Sequence, residues 1–305
     1  MSIDKLDRES NKLVNDYKIS YISILELLEE QIDRGLSERQ ARSILREIQL
    51  ELKHLDEEAY KWSYDVLPEY YLLSLHNIDT DFAYLNGVNV IRGEQIVLHK
   101  HAIANASRNT YTDLAKNTAF MNEEAKRIIR SNASELLTMQ TITGQDYKKT
   151  KKQLKDALVS QGVTSFVDAG GKHWKIEDYS SMLVRSKSRT LHNRGTMNRL
   201  EEYQDKYPSN ENFGLIRISS HNSTCWCGAY ENTVWSIKGN HPMYPSIKSL
   251  PNQPYENLHP NCRHVFLSYM PELARMRGDE GIIISTKYQN RTIKDLNKEL
   301  YHQRH

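Results

Sequence analysis

Six side chains with an affinity for soft metals fall in two short clusters, and this pairing constrains the fold more than any other feature of the chain. The first cluster reads His221-Asn222-Ser223-Thr224-Cys225-Trp226-Cys227, and the second His259-Pro260-Asn261-Cys262-Arg263-His264. Between them they hold all three cysteines of the sequence. Two Cys/His clusters joined by a loop are how a chain closes a tetrahedral zinc site. A Cys-x-Cys pair offers two thiolates to one ion when the backbone turns between them. His-x-x-Cys or Cys-x-His at the end of a strand adds the other two ligands. The candidate metal ligands are therefore Cys225, Cys227, Cys262, His264, His259 and His221. The competing reading makes the cysteines small buried hydrophobes and the histidines hydrogen-bonded core residues, and spacing alone leaves both open. If an ion is held, its expected role is structural. There are enough ligands to close the site, and Glu231 and Glu256, the nearest carboxylates, sit at no telling spacing for a general base.

The 305 residues suffice for about two domains. With 38% hydrophobic and 26% charged residues the chain is polar but globular, not disordered. No apolar run approaches the roughly 20 residues that span a bilayer. Three cysteines cannot make a disulfide framework, and Met1-Ser2-Ile3-Asp4-Lys5 lacks the basic-then-apolar start of a signal peptide. The expected compartment is a reducing one, where clustered Cys and His point to metal. The formal net charge is only +2, but it is unevenly spread: residues 1–60 are acidic, and Lys148, Lys149, Lys151 and Lys152 form a basic run. That run reads either as a solvated helix face or as a contact to an acidic polymer.

Hydrophobic periodicity organises the rest. Leu6, Leu13, Tyr17, Ile24, Leu27, Leu28 and Ile32 predict a helix over residues 3–33, with Gly35 as its stop. Ser37 and Gln40 form a capping box for a second amphipathic helix carrying Ala41, Ile44, Leu45, Ile48, Leu52 and Leu55. Pro68 interrupts the pattern, residues 77–93 look turn-rich, and helical spacing returns over 95–140 and 146–160. No phosphate loop, His-Glu-x-x-His or Gly-x-Ser-x-Gly occurs in these stretches, and His99 and His101 read as packing or surface residues. Beyond Gly144 the texture changes: a hairpin around Ala169-Gly170-Gly171, a helix over 177–205, and strands at 214–219, 233–237 and 264–269 in a small mixed sheet. The expected class is α+β: a mostly helical N-terminal half and a smaller C-terminal α+β domain holding the Cys/His cluster. The expected domains are 1–144, 145–272 and a tail, 273–305.

A series of landmarks between Phe166 and Glu272 resembles the phage minor capsid protein 2 family, related to the Mu F-like head morphogenesis proteins. They are Val167-Asp168-Ala169-Gly170-Gly171-Lys172-His173-Trp174, then Tyr179, Met182-Leu183-Val184-Arg185-Ser186 and Asn193. Ile218-Ser219-Ser220-His221, Cys225 and Val234-Trp235-Ser236-Ile237-Lys238-Gly239 follow, and the two closing landmarks are His259-Pro260-Asn261-Cys262-Arg263-His264 and Tyr269-Met270-Pro271. The chain departs at Tyr230-Glu231-Asn232, where the family usually has Gln-Gly, and in its Cys-x-Cys, where the family more often has a spaced pair. The resemblance implies a virion protein and no enzyme. It implies a few copies in the head of a tailed phage, made in the host cytoplasm, acting at the portal or inside the head in assembly, DNA packaging or DNA delivery. The implied partners are the portal protein, other capsid proteins and packaged double-stranded DNA, met without sequence readout by the lysine run. The alternative is a metal-dependent nuclease or toxin-like effector built on the same Cys/His core.

Overall fold

The computed structural model describes residues 2–34, 38–91, 97–138, 147–161, 166–167, 173–250 and 257–278. Gly35, Ser37, the Ala169-Gly170-Gly171 turn, Glu256 and the chain after residue 278 lie outside them.

Helix α1 (Ile3–Arg34) buries the apolar stripe read from the sequence, from Leu6 through Tyr17 to Ile32. Helix α2 (Glu38–Lys61) does the same with Ile44, Ile48, Leu52, Leu55 and Ala59, at steps of three and four. A π turn, Trp62–Val66, follows and runs directly into α3 (Leu67–Ala83). Pro68 explains the change of winding. It has no N–H to continue an α ladder, so it is tolerated only in a first turn, and the wider π turn absorbs the missing bond. Trp62 is buried there, with its indole N–H donated to Ser10 Oγ at 3.0 Å.

Helix α3 runs further than its composition suggests. Asn77, Asp79, Thr80 and Asp81 look like turn residues, yet Ile78 and Phe82 are one helical turn apart and both are buried. Burial of that pair outweighs the weak local preferences, and the chain turns only after Ala83. Helices α4 (Val97–Thr138), α5 (Tyr147–Gln161) and α6 (Ile176–Lys206) complete the long elements. Strands β1 (Phe166–Val167) and β2 (His173–Trp174) pair antiparallel, as the hairpin reading expected.

Strands β3 (Leu215–Ile218), β4 (Val234–Ser236) and β5 (Phe266–Ser268) form one sheet in the order β4-β3-β5. The sheet was expected to be mixed. Both of its pairings are antiparallel, and parallel geometry survives only as a single bridge between Ser236 and Ser246. Ile216 and Ile218 face a large core with Phe82, Tyr203, Trp235, Cys227 and Cys262, whereas Leu215 packs on the other face with Val234, Tyr244 and Tyr269. Pro271 opens the short helix α7 (Pro271–Arg277).

The chain divides into two compact units, each drawn from separate stretches. One comprises Met1–Leu6, Val66–Ser107 and Arg185–His305, and holds the sheet. The other comprises Asp7–Asp65 and Arg108–Val184. Within the first, a buried polar network joins three helices. His99 Nδ1 lies 2.6 Å from Tyr71 Oη, and its Nε2 makes an ion-pair contact of 2.9 Å with Glu202, short of a directed hydrogen bond. Arg199 pairs with Glu202 at 2.8 Å and Asp79 at 3.2 Å, and Tyr203 donates to Asp79 at 2.9 Å. His99 is thus a packing residue, and His101 is exposed.

Candidate metal centre

Strand β3 ends at Ile218, and the chain stays in register for one more bond, Ser219 N donating to the Val265 carbonyl at 3.0 Å. It then folds around a carboxylate. Glu231 Oε2 accepts from Ser220 Oγ at 2.9 Å and Asn222 N at 3.1 Å; Oε1 accepts from His221 N at 3.3 Å and Ser223 N at 2.7 Å. A fifth partner, His264 Nε2, lies 3.1 Å from Oε1. Burial alone would raise the pKa of Glu231. The donors from Ser223, Ser220, His221 and His264 overcome it and hold the group at about 2. Asn222 takes the left-handed conformation this wrap requires, with φ of 56°.

The 3₁₀ turn Trp226–Tyr230 follows immediately and is what brings the two cysteines of Cys-Trp-Cys to one side. Trp226 anchors it in the core, and Gly228 N donates to the Cys225 carbonyl at 2.9 Å. Gly228 is required there, because a Cβ would stand 2.5 Å from the Ser223 carbonyl oxygen.

The second cluster is a tight turn, closed by Cys262 N donating to the His259 carbonyl at 3.2 Å, with Asn261 left-handed at φ 63°. Helix α6 holds it from the side: Ser186 Oγ accepts from Asn261 N at 2.7 Å, and Arg185 Nη1 donates to Asn261 Oδ1 at 2.6 Å. One strand later Asn193 Oδ1 accepts from Phe266 N at 2.8 Å. Arg185, Ser186 and Asn193, which the sequence offers only as pattern positions, are therefore the brackets that fix the second cluster against α6.

Together these turns bring all six candidate ligands into three overlapping groups. Cys225, Cys227 and His259 form one, Cys227, Cys262 and His264 a second, and His221, Glu231 and His264 a third; within each, the donor atoms lie within 4.8 Å of one another. Cys227 is common to the first two. His259 Nε2 is 3.2 Å from Cys227 Sγ and 3.3 Å from Cys225 Sγ, and His264 Nδ1 is 3.1 Å from Cys262 Sγ. Burial and the neighbouring His221 lower the pKa of His264 to about 4, so its ring is neutral, as a ligand must be. Burial pushes the Cys262 thiol up, against surrounding backbone N–H groups. Cys225 and Cys227 are joined as a disulfide, and Cys262 is a free thiol. Disulfide and metal are alternative fates of the same two sulfurs, since only a thiolate ligates. A donor set of thiols and imidazoles suits a soft or borderline divalent ion.

The family profile described as phage minor capsid protein 2 matches residues 42–305. The chain belongs to that family. No curated protein and no solved structure matches it. The match to the minor capsid protein family takes in the whole Cys/His region and reaches back into α2, well beyond the landmarks at 166–272. Among the described residues of this minor capsid protein, no helix is long and apolar enough to cross a membrane.

The predicted lysine run belongs to the other unit. Lys148, Lys149 and Lys152 are exposed on α5, in the unit of Asp7–Asp65 and Arg108–Val184, and Lys151 lies on the same helix. Glu231 is what sequence reasoning missed. It was weighed only as a base, and no spacing signals a carboxylate whose partners lie eight to eleven residues back and 33 residues ahead.

Proposed function

We propose that this minor capsid protein works in the head of a tailed phage, at the portal or inside the shell, as a structural component present in few copies. The observation that carries the reading is the family match over residues 42–305. Its partners in this reading are the portal protein and other capsid proteins, reached from the host cytoplasm during assembly. Lys148, Lys149, Lys151 and Lys152 meet packaged duplex through phosphate contacts, without reading bases. The Cys/His groups hold one zinc ion that pins the His259–His264 turn to the end of β3 in the reduced protein, and the ion's part is to crosslink. The saturation of Glu231 supports this reading over the nuclease. A carboxylate with five partners has no lone pair to spare for activating water, and a catalytic zinc needs an open position beside a base.

Co-expression of the chain with its portal protein, followed by size-exclusion chromatography, tests the placement. A stable co-eluting complex is expected, and separate elution overturns the portal contact. A duplex-binding titration against salt tests the DNA contact. The triple variant Lys148→Ala, Lys149→Ala, Lys152→Ala is expected to bind more weakly and with a shallower salt slope by about three ions released. An unchanged slope removes α5 from the DNA contact.

A further inference from the structure

We infer that Cys227, Cys262, His259 and His264 are the four ligands of a single metal ion, and that Glu231 is the positioning residue that aims His264 at it. The inference rests on the metal reading above and goes beyond it in assigning each residue.

Two oxygens beside the histidine rings can only accept hydrogen bonds. Glu231 is an ionised carboxylate at neutral pH, so the hydrogen bond to His264 Nε2 at 3.1 Å places the ring proton on Nε2. His264 Nδ1 is then a lone pair, and it stands 3.1 Å from Cys262 Sγ. The Pro260 carbonyl does the same for the other ring. It lies 2.7 Å from His259 Nδ1, which therefore carries the proton, and the Nε2 lone pair faces Cys227 Sγ at 3.2 Å. Each imidazole thus has its outer nitrogen tied to an oxygen and its inner nitrogen turned to sulfur. That is how metal-binding histidines are oriented.

Two oriented imidazoles leave two places in a four-coordinate site, which an ion would close by drawing His259 and the pair Cys262 and His264 together about their shared neighbour Cys227. Cys227 is the sulfur that both soft groups share, and Cys262 belongs to the fully buried group with His264. Cys225 and His259 are both half-buried and both join only the group with Cys227; what separates them is that the Pro260 carbonyl orients the His259 ring, whereas Cys225 is bonded to Cys227, a bond that competes with the metal. His221 is exposed and meets the site through ring contact with His264, centroids 4.1 Å apart. Glu231 acts at a distance: by gathering the backbone N–H groups of residues 221–223 and the His264 ring on one carboxylate, it fixes the position of the first cluster against the tautomer of the second.

The test uses the full chain, purified reduced and loaded with zinc, then titrated with a competing chelator. Wild type and Cys225→Ser are expected to hold one zinc with equal affinity, and Cys227→Ser and Cys262→Ser to lose it. Glu231→Gln, folded by circular dichroism, is expected to bind about 10–100-fold more weakly, with Glu231→Asp recovering part of the loss. A wild-type chain that takes up no zinc overturns the metal reading and this inference with it. Zinc binding by wild type with undiminished affinity in Glu231→Gln, or loss in Cys225→Ser with retention in His259→Ala, overturns this inference alone. If Glu231→Gln does not fold, nitrogen NMR of the metal-free wild type still decides. His264 protonated at Nε2 supports the assignment, and His264 protonated at Nδ1 contradicts it.

Discussion

Glu231 and His264 give the site a defined response to acid. The Glu231 carboxylate titrates at about 2 in the folded chain and at its ordinary 4.5 when unfolded. A depressed carboxylate contributes stability that is complete above the unfolded value and is lost as pH falls through the folded one. His264 acts in the same direction over a higher window. Its pKa falls from 6.5 to about 4 on folding, so below 6.5 the unfolded chain takes up a proton that the folded chain refuses. The difference in urea stability between metal-free wild type and Glu231→Gln is therefore expected to be constant above pH 4.5 and to shrink as pH falls toward 2. A difference that stays constant across that window would contradict the account. The same residues show what a sequence can reveal at this scale. With only three cysteines in 305 residues, their pairing with histidines stands out, whereas Glu231 is one of 39 acidic residues and its role depends on contacts that no local spacing encodes.

At the scale of the element, apolar period decided what was legible. Helices α1 and α2 keep their buried stripes over many turns, and their presence follows from sequence. The end of α3 is less legible, because Asn77, Asp79, Thr80 and Asp81 carry turn-like composition on a helix whose buried apolar side is Ile78 and Phe82. The strands were found, but their directions were not. Pairing is set by partners such as Arg217 with Leu267, 50 positions away. Gly195 shows how closely α3 and α6 approach. A Cβ there would collide with Ser74 Oγ and stand 2.9 Å from the Tyr71 carbonyl oxygen. Alanine would gain about 1 kcal/mol in helix propensity. Overpacking against a backbone oxygen that cannot turn away costs about 1–3 kcal/mol, so the clash wins. Gly195→Ala is expected to be less stable than wild type in urea denaturation, and a stabilised variant would show that the helices stand further apart. Phe82 tests the core beside them. It is fully buried, with its ring stacked 3.6 Å from that of Tyr203, and Phe82→Ala is expected to cost about 3–5 kcal/mol. A loss below about 1 kcal/mol in urea denaturation would contradict that packing.

For the whole molecule, the family was readable because its landmarks are the residues that build the site. Arg185, Ser186 and Asn193 hold the second cluster and its strand to α6, and His259 to His264 form the turn itself. The helical stretches gave no such signal, since an amphipathic stripe suits many partners, although the family match reaches from residue 42 onward. A capsid role accounts for both. In the proposed reading the helices would supply surface for docking on other capsid proteins, and the sheet with its Cys/His groups a compact fold for assembly. The most direct test is to quantify the chain by mass spectrometry in gradient-purified particles, before and after protease treatment of intact heads. The account predicts a few copies per particle that survive the protease until the head is opened. Absence from purified particles would contradict it.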